Sequence, residues 1–72
     1  MTMMQTPNDL GQLIRLERRR QRLTQAQLAA LAGVGIRFVR ELERGKASCR
    51  LGLALTVLQT LGLSLSVQGR GD

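Results

Sequence analysis

Residues 24–45 read TQAQLAALAGVGIRFVRELERG, and the order of start and stop signals in that stretch decides the fold. Thr24-Gln25-Ala26-Gln27 is a capping box: the Thr24 hydroxyl takes the Gln27 amide proton, and the Gln27 side chain reaches back to the Thr24 amide. Leu28, Ala29 and Ala32 then mark the inner face of a short helix. Gly33 stops it, because the left-handed C′ position costs glycine nothing. After Val34 the spacing predicts a second helix from Gly35 to Arg44, with Val39 and Leu42 inward and Gly45 at its end. The small Ala29 falls where the two helices must approach.

The flanks extend this pattern in both directions. On the N-terminal side Thr6 caps, Pro7 takes the first helical position and Asp9 suits the positive end of the dipole. Leu10, Leu13 and Ile14, with the stem of Glu17, follow at helical spacing. Arg15, Arg18, Arg19, Arg20 and Arg22 crowd the later turns, where cations suit a helix C-terminus, and the helix is predicted to end near Gln21 or Arg22. On the C-terminal side Leu51, Ala54, Leu55, Leu58 and Leu61 recur at three and four, and Gly62 breaks the helix they predict. Leu63, Leu65 and Val67 then alternate with Ser64, Ser66 and Gln68, the two-residue period of a half-buried strand.

A lone strand leaves its ladder groups unpaired. Pairing with the same strand of a second copy about a two-fold axis repairs that; the other reading is an irregular tail packed on the helices. The expected organisation is a disordered stretch 1–5, a helical domain 6–62, a dimerisation strand 63–68 and a flexible tail 69–72. Cys49 reads as a small buried apolar residue.

Composition limits what such a domain can do. At 72 residues, the chain buries roughly 60% of the surface its unfolded form exposes. One cysteine and no histidine leave no disulfide within the chain, no metal or cofactor site in prospect, and no general base of the commonest kind. No nucleophile–base pair is visible, so an enzyme is not expected. Eleven Lys and Arg against five Asp and Glu give +6, which favours a polyanionic partner. All of those cations are arginine except Lys46. The planar fork of arginine suits phosphates and guanine edges, although an Arg-rich solvated surface reads the same way in sequence. Phe38 is the one aromatic residue, which argues against stacking platforms for single strands and for duplex DNA. The apolar stretch Leu51–Val67 is too short and too interrupted for a membrane span, which takes about 20 residues. Met1–Gln5 carry no basic or apolar leader, so a cytoplasmic location is expected.

With the helices in this order, the segment resembles the lambda-repressor-like, Cro/cI-type (XRE) helix-turn-helix family. LTQ at 23–25, LA at 28–29, AGV at 32–34 and ELERGK at 41–46 lie in register, and the likeness runs from about Leu10 to Leu63. More narrowly, VGIRFVRELERGK followed by LGLALTVLQTLGLSLSV is similar to the HipB-type antitoxins. The resemblance implies a mainly α fold of four to five short helices, the motif itself at 24–44, and a C-terminal strand that joins two copies through Leu63, Leu65 and Val67. It places Gly35 to Arg44 in the major groove as the recognition helix. Gly35, Ile36, Arg37, Arg40 and Glu41 then face base edges, with Arg37 and Arg40 on guanine and Ile36 on thymine methyls. Glu41 either accepts from cytosine or pairs with Arg37 four residues away. Thr24, Gln25, Arg44 and Lys46 are implied phosphate contacts, with Arg18, Arg19 and Arg22 extending them, although about half of that run reads equally as solvated surface.

The implied function is a dimeric repressor that binds an inverted repeat in its own promoter and acts as the antitoxin of a HipA-like serine/threonine kinase toxin. A stand-alone regulator without a toxin is the alternative, and an interaction adaptor that has lost DNA binding is a third class. Several positions depart from the family. Arg22 stands where glycine is common, and a positive φ there carries strain of about 1 kcal/mol. Gly35 replaces a small polar residue at the groove entrance. Phe38, often Ser or Thr, is expected in the core or a dimer interface, and Leu31 is expected exposed and facing a partner.

Overall fold

The helices of the chain begin and end on local chemistry. In the computed structural model, which describes residues 4–67 and 69, they are α1 (Pro7–Arg20), α2 (Gln25–Ala32), α3 (Ile36–Glu43) and α4 (Leu51–Thr60). Extended Thr6 accepts the Asp9 amide at 3.1 Å through its hydroxyl, and the Asp9 carboxylate accepts the Gln5 and Thr6 amides at 3.1 and 3.2 Å. The Gln5 bond is the main cause that holds the Asp9 carboxyl below its ordinary range. Residues 1–3 of the expected N-terminal coil lie outside the described residues. The second box also forms, with Gln27 N–H on the Thr24 hydroxyl at 3.0 Å and Thr24 N–H on Gln27 Oε1 at 2.8 Å. Gly33 ends α2 with φ +72°. α3 starts without a side-chain cap because its N-cap, Gly35, has none to offer.

Ile14 of α1, Leu28 of α2, Val39 of α3 and Val57 of α4 are fully buried, and Ala29, Leu42, Ala54, Leu58 and Leu61 complete the core. α3 packs on both α1 and α2, and α2 also packs on α4. The α1–α3 approach is close enough to exclude a methyl group. A Cβ on Gly11 would lie 2.5 Å from the Leu42 carbonyl oxygen and 2.7 Å from that of Glu43. One turn earlier the same seam closes at Gly45 (φ +83°), where a Cβ would sit 2.6 Å from Asn8 Cα. These close approaches fix where α3 stands against α1.

Phe38 and Cys49 pack partly buried against the core, as expected, and Leu31 is exposed. Burial pushes the Cys49 thiol up, and the Glu41 charge adds to this against the opposing effect of Lys46, so the sulfur stays protonated at neutral pH. Arg22 takes a φ of 60°, the left-handed conformation that its position in the family implies. No helix is long and apolar enough to cross a membrane among the described residues.

Four helices, mainly α, is the expected architecture. Beyond Gly62 the Leu63 amide bonds the Leu58 carbonyl at 2.9 Å, after which Leu65 and Val67 are exposed. No strand forms among the described residues; the expected ladder belongs to two chains and not to one. Gln68 and residues 70–72 of the expected tail lie outside the described residues.

Candidate nucleic-acid interface

α3 divides sharply into two sides. Val39, Leu42 and Glu43 are buried, while Gly35, Ile36, Arg37 and Arg40 face solvent. The Arg37 side chain is 89% exposed. Glu41 is half-buried, and its Oε2 lies 3.5 Å from Arg37 Nε and 3.3 Å from Lys46 Nζ. Of the two sequence readings of Glu41, the pairing geometry is the one present. Exposed pairs of this kind contribute about 0.2–1 kcal/mol, so the pairing orients Arg37 without locking it.

Beside the start of α2 a groove of about 510 Å³ opens, lined by Arg15 and Arg19 of α1, Thr24 and Gln25, and Arg40 and Arg44 of α3 and its cap. The Gln25 and Ala26 amides at the head of α2 have no acceptor among the described residues, so they point donors outward beside these guanidinium groups. Lys46 is exposed next to Gly45. Most expected phosphate contacts are thus brought to one side of the molecule.

Arg18 is the correction. Its guanidinium is 9% exposed and is held by a forked pair to Glu43, Nε to Oε2 at 2.6 Å and Nη2 to Oε1 at 3.0 Å. Nη1 donates to the Leu23 carbonyl at 2.8 Å, and Gln25 Nε2 donates to Glu43 Oε1 at 3.1 Å. Every nitrogen of the Arg18 guanidinium is engaged, so it works as a tie between α1, α3 and the head of α2 at the base of the groove. Sequence reasoning does not single out Glu43 or Arg15. Arg15 was legible as the residue three and four positions before Arg18 and Arg19 on one helix face. Glu43 carries no local signal, since its partner lies 25 residues away.

A helix with its apolar side buried and its guanidinium side open, following an anchored helix across a glycine turn, defines a helix-turn-helix DNA-binding domain. The chain belongs to the HTH_3 helix-turn-helix family, of XRE type, which it matches over residues 14–68. It is 48% identical over 67 residues to an uncharacterized HTH-type transcriptional regulator, y4mF, of Sinorhizobium fredii, covering 93% of this chain and 88% of that one. Its fold is similar to HipB in a HipB–O4 20mer complex, with a TM-score of 0.87 at 22% identity over 99% of this chain and 100% of that one. A HipA–HipB–O2–O3 complex contains a chain equally similar, at TM-score 0.87, 22% identity and the same coverage. HipB in an O1–O2 complex gives 0.88 at 23% identity over 96% of this chain and all of that one.

Proposed function

We propose that the protein is a homodimeric, sequence-specific transcriptional repressor that serves as the antitoxin of a HipA-like serine/threonine kinase and represses its own operon from the cytoplasm. The observation that carries the DNA half of this reading is the pair Arg37 and Arg40, open to solvent on the side of α3 opposite its buried Val39 and Leu42. In this reading Gly35, Ile36, Arg37, Arg40 and Glu41 meet base edges, while Thr24, Gln25, Arg19, Arg44 and Lys46 hold phosphates. Exposed Leu65 and Val67, in the two-residue period begun by Leu63, supply the joint between two copies. The likeness of the fold to HipB, which in one of the similar structures is bound to HipA, supports the toxin partner.

A stand-alone regulator is the second reading. It is favoured by the relative of higher identity, described only as a transcriptional regulator. Purification from the native operon separates the two: a kinase that copurifies with the protein and is inhibited by it supports the antitoxin, and a protein that represses its promoter alone supports the regulator.

Three outcomes are expected from variants. Arg37→Ala should relax base preference at one position of each half-site, losing about 1–3 kcal/mol of discrimination; uniform weakening on all sequences would refute direct readout. Arg44→Ala should weaken every duplex alike and flatten the salt dependence by about 0.9 in log–log slope for each phosphate that is no longer neutralised. Deletion of residues 63–72 should shift the protein towards monomer in sedimentation and lower its operator affinity. A truncated protein that remains dimeric and binds fully would remove the strand from the interface.

A further inference from the structure

Glu41 stands in the last turn of α3, where the negative end of the helix dipole disfavours a carboxylate. Its pairing with Arg37 also runs in the weaker order, the cation one turn before the anion. Helix stability alone therefore gives no reason for a carboxylate at this position. Of the other described carboxylates, Asp9 caps α1, Glu17 pairs with Arg20 and Glu43 is consumed by Arg18. Among the described residues, Glu41 is the one left beside the open cations of α3.

The backbone fixes what surrounds it. The Gly45 amide donates to the Leu42 carbonyl and the Lys46 amide to the Glu41 carbonyl, both at 3.1 Å, a Schellman closure that folds Lys46 back over the last turn. Gly45 holds this closure at φ +83°, close against Asn8 of α1. Lys46 Nζ then lies 3.3 Å from Glu41 Oε2, and Arg37 brings Nε to 3.5 Å from the same oxygen. Arg37 is met at Nε, and neither of its Nη nitrogens hydrogen-bonds a described residue. Those two nitrogens form a fork that spans O6 and N7 of a guanine. Arg40 and Arg44, by contrast, line the groove and pair with no described carboxylate.

We infer that Glu41 is a positioning residue of the DNA interface: anchored by Lys46, it buttresses Arg37 so that the fork is offered to a base edge and withheld from phosphates. An arginine without a buttress swings to any phosphate in reach, which strengthens binding to every sequence alike. Held at Nε, Arg37 keeps its guanine contact and gives up that second use, while the carboxylate itself repels phosphates that come near. Unmatched duplex therefore loses more affinity than matched duplex, which is specificity gained by excluding wrong partners. The inference rests on the DNA-binding reading above and refines it at one residue, since Glu41 then acts on base edges through Arg37.

The test selects binding sites from a randomised duplex library and measures affinity for a mixed-sequence duplex between about 50 and 200 mM salt. Wild type, Glu41→Gln, Arg37→Ala, the double variant and a charge control, Glu17→Gln, are compared. Glu17 pairs with Arg20 on α1 and does not line the groove, and its replacement changes the net charge by the same amount. Glu41→Gln should bind the mixed-sequence duplex about two- to fivefold more tightly, with a salt slope steeper by up to about 0.9 per bound protomer. Its guanine preference at the position that Arg37 reads should fall by about two- to fivefold. With Arg37 already alanine, Glu41→Gln should leave base preference unchanged, because the two residues act as a unit. Glu17→Gln should keep the wild-type preference. The inference is overturned if Glu41→Gln keeps the wild-type preference, or if Glu17→Gln loosens it as much. It is also overturned if Glu41→Gln alters preference equally with and without Arg37, which would make Glu41 a direct acceptor from cytosine. A wild type that selects no sequence overturns the sequence-specific reading and this inference together; a wild type that selects a site, with an unchanged Glu41→Gln, overturns this inference alone.

Discussion

Glu43→Ala should cost the protein about 3–5 kcal/mol, with a cooperative urea transition shifted far towards zero denaturant. Glu43 and Arg18 are 8% exposed each, and the alanine would strand the Arg18 guanidinium in the core with two of its three nitrogens unpaired. Removing one partner of a buried pair costs about 3–5 kcal/mol. Domains hold about 0.05–0.15 kcal/mol per residue, which for this chain is about 4–11 kcal/mol in all. One substitution therefore consumes from about a quarter to all of the stability. The damage is wider than one ion pair, because Glu43 also accepts from Gln25 and Arg18 also donates to the Leu23 carbonyl. A double replacement, Arg18→Met with Glu43→Leu, should recover most of the stability, since two apolar side chains leave no buried charge. Circular dichroism against urea reads both. A Glu43→Ala midpoint within error of wild type would show that the fork does not hold the helices.

That network marks the boundary of what the sequence discloses. The helix starts at Thr6 and Thr24, the stop at Gly33 and the inward set Leu28, Val39 and Leu42 are encoded by neighbours three or four positions apart, and each is found where its neighbours place it. The open side of α3 follows by subtraction, so Arg37 and Arg40 were legible as well. Arg18 was not. In sequence it is one cation in a run of them at a helix end, indistinguishable from Arg19 and Arg20, and only the long-range meeting with Glu43 separates buried from exposed. The C-terminal alternation was legible as a period, but a ladder needs two strands and its partner is not within one chain. Arg22 sits between these cases: the resemblance points to a left-handed backbone at its position, and the structure gives it a φ of 60°.

Gly11→Ala is the second substitution expected to do serious harm, and it runs against intuition. In the middle of a helix, alanine ordinarily improves on glycine by about 0.8–1 kcal/mol. At Gly11 the added carbon meets the Leu42 and Glu43 carbonyl oxygens at 2.5 and 2.7 Å, both backbone atoms at the end of α3. No side chain can swing aside, so α1 and α3 must separate. Overpacking costs about 1–3 kcal/mol, and a backbone collision belongs at the upper end. Gly52→Ala supplies the contrast, because in α4 its Cβ would meet nothing within 4 Å. That variant should gain about 0.5–1 kcal/mol. The harm at Gly11 should also reach function. The carbonyl it touches belongs to Glu43, whose side chain holds Arg18 at the base of the groove, so prying the seam open moves α3 relative to Arg15 and Arg19. Gly11→Ala should then bind duplex more weakly even at temperatures where it remains folded, and its cost should not add independently to that of Glu43→Ala, since both act on one seam. Two alanine variants of equal stability would instead mean that α1 does not clamp α3, and that something other than this seam sets the position of α3.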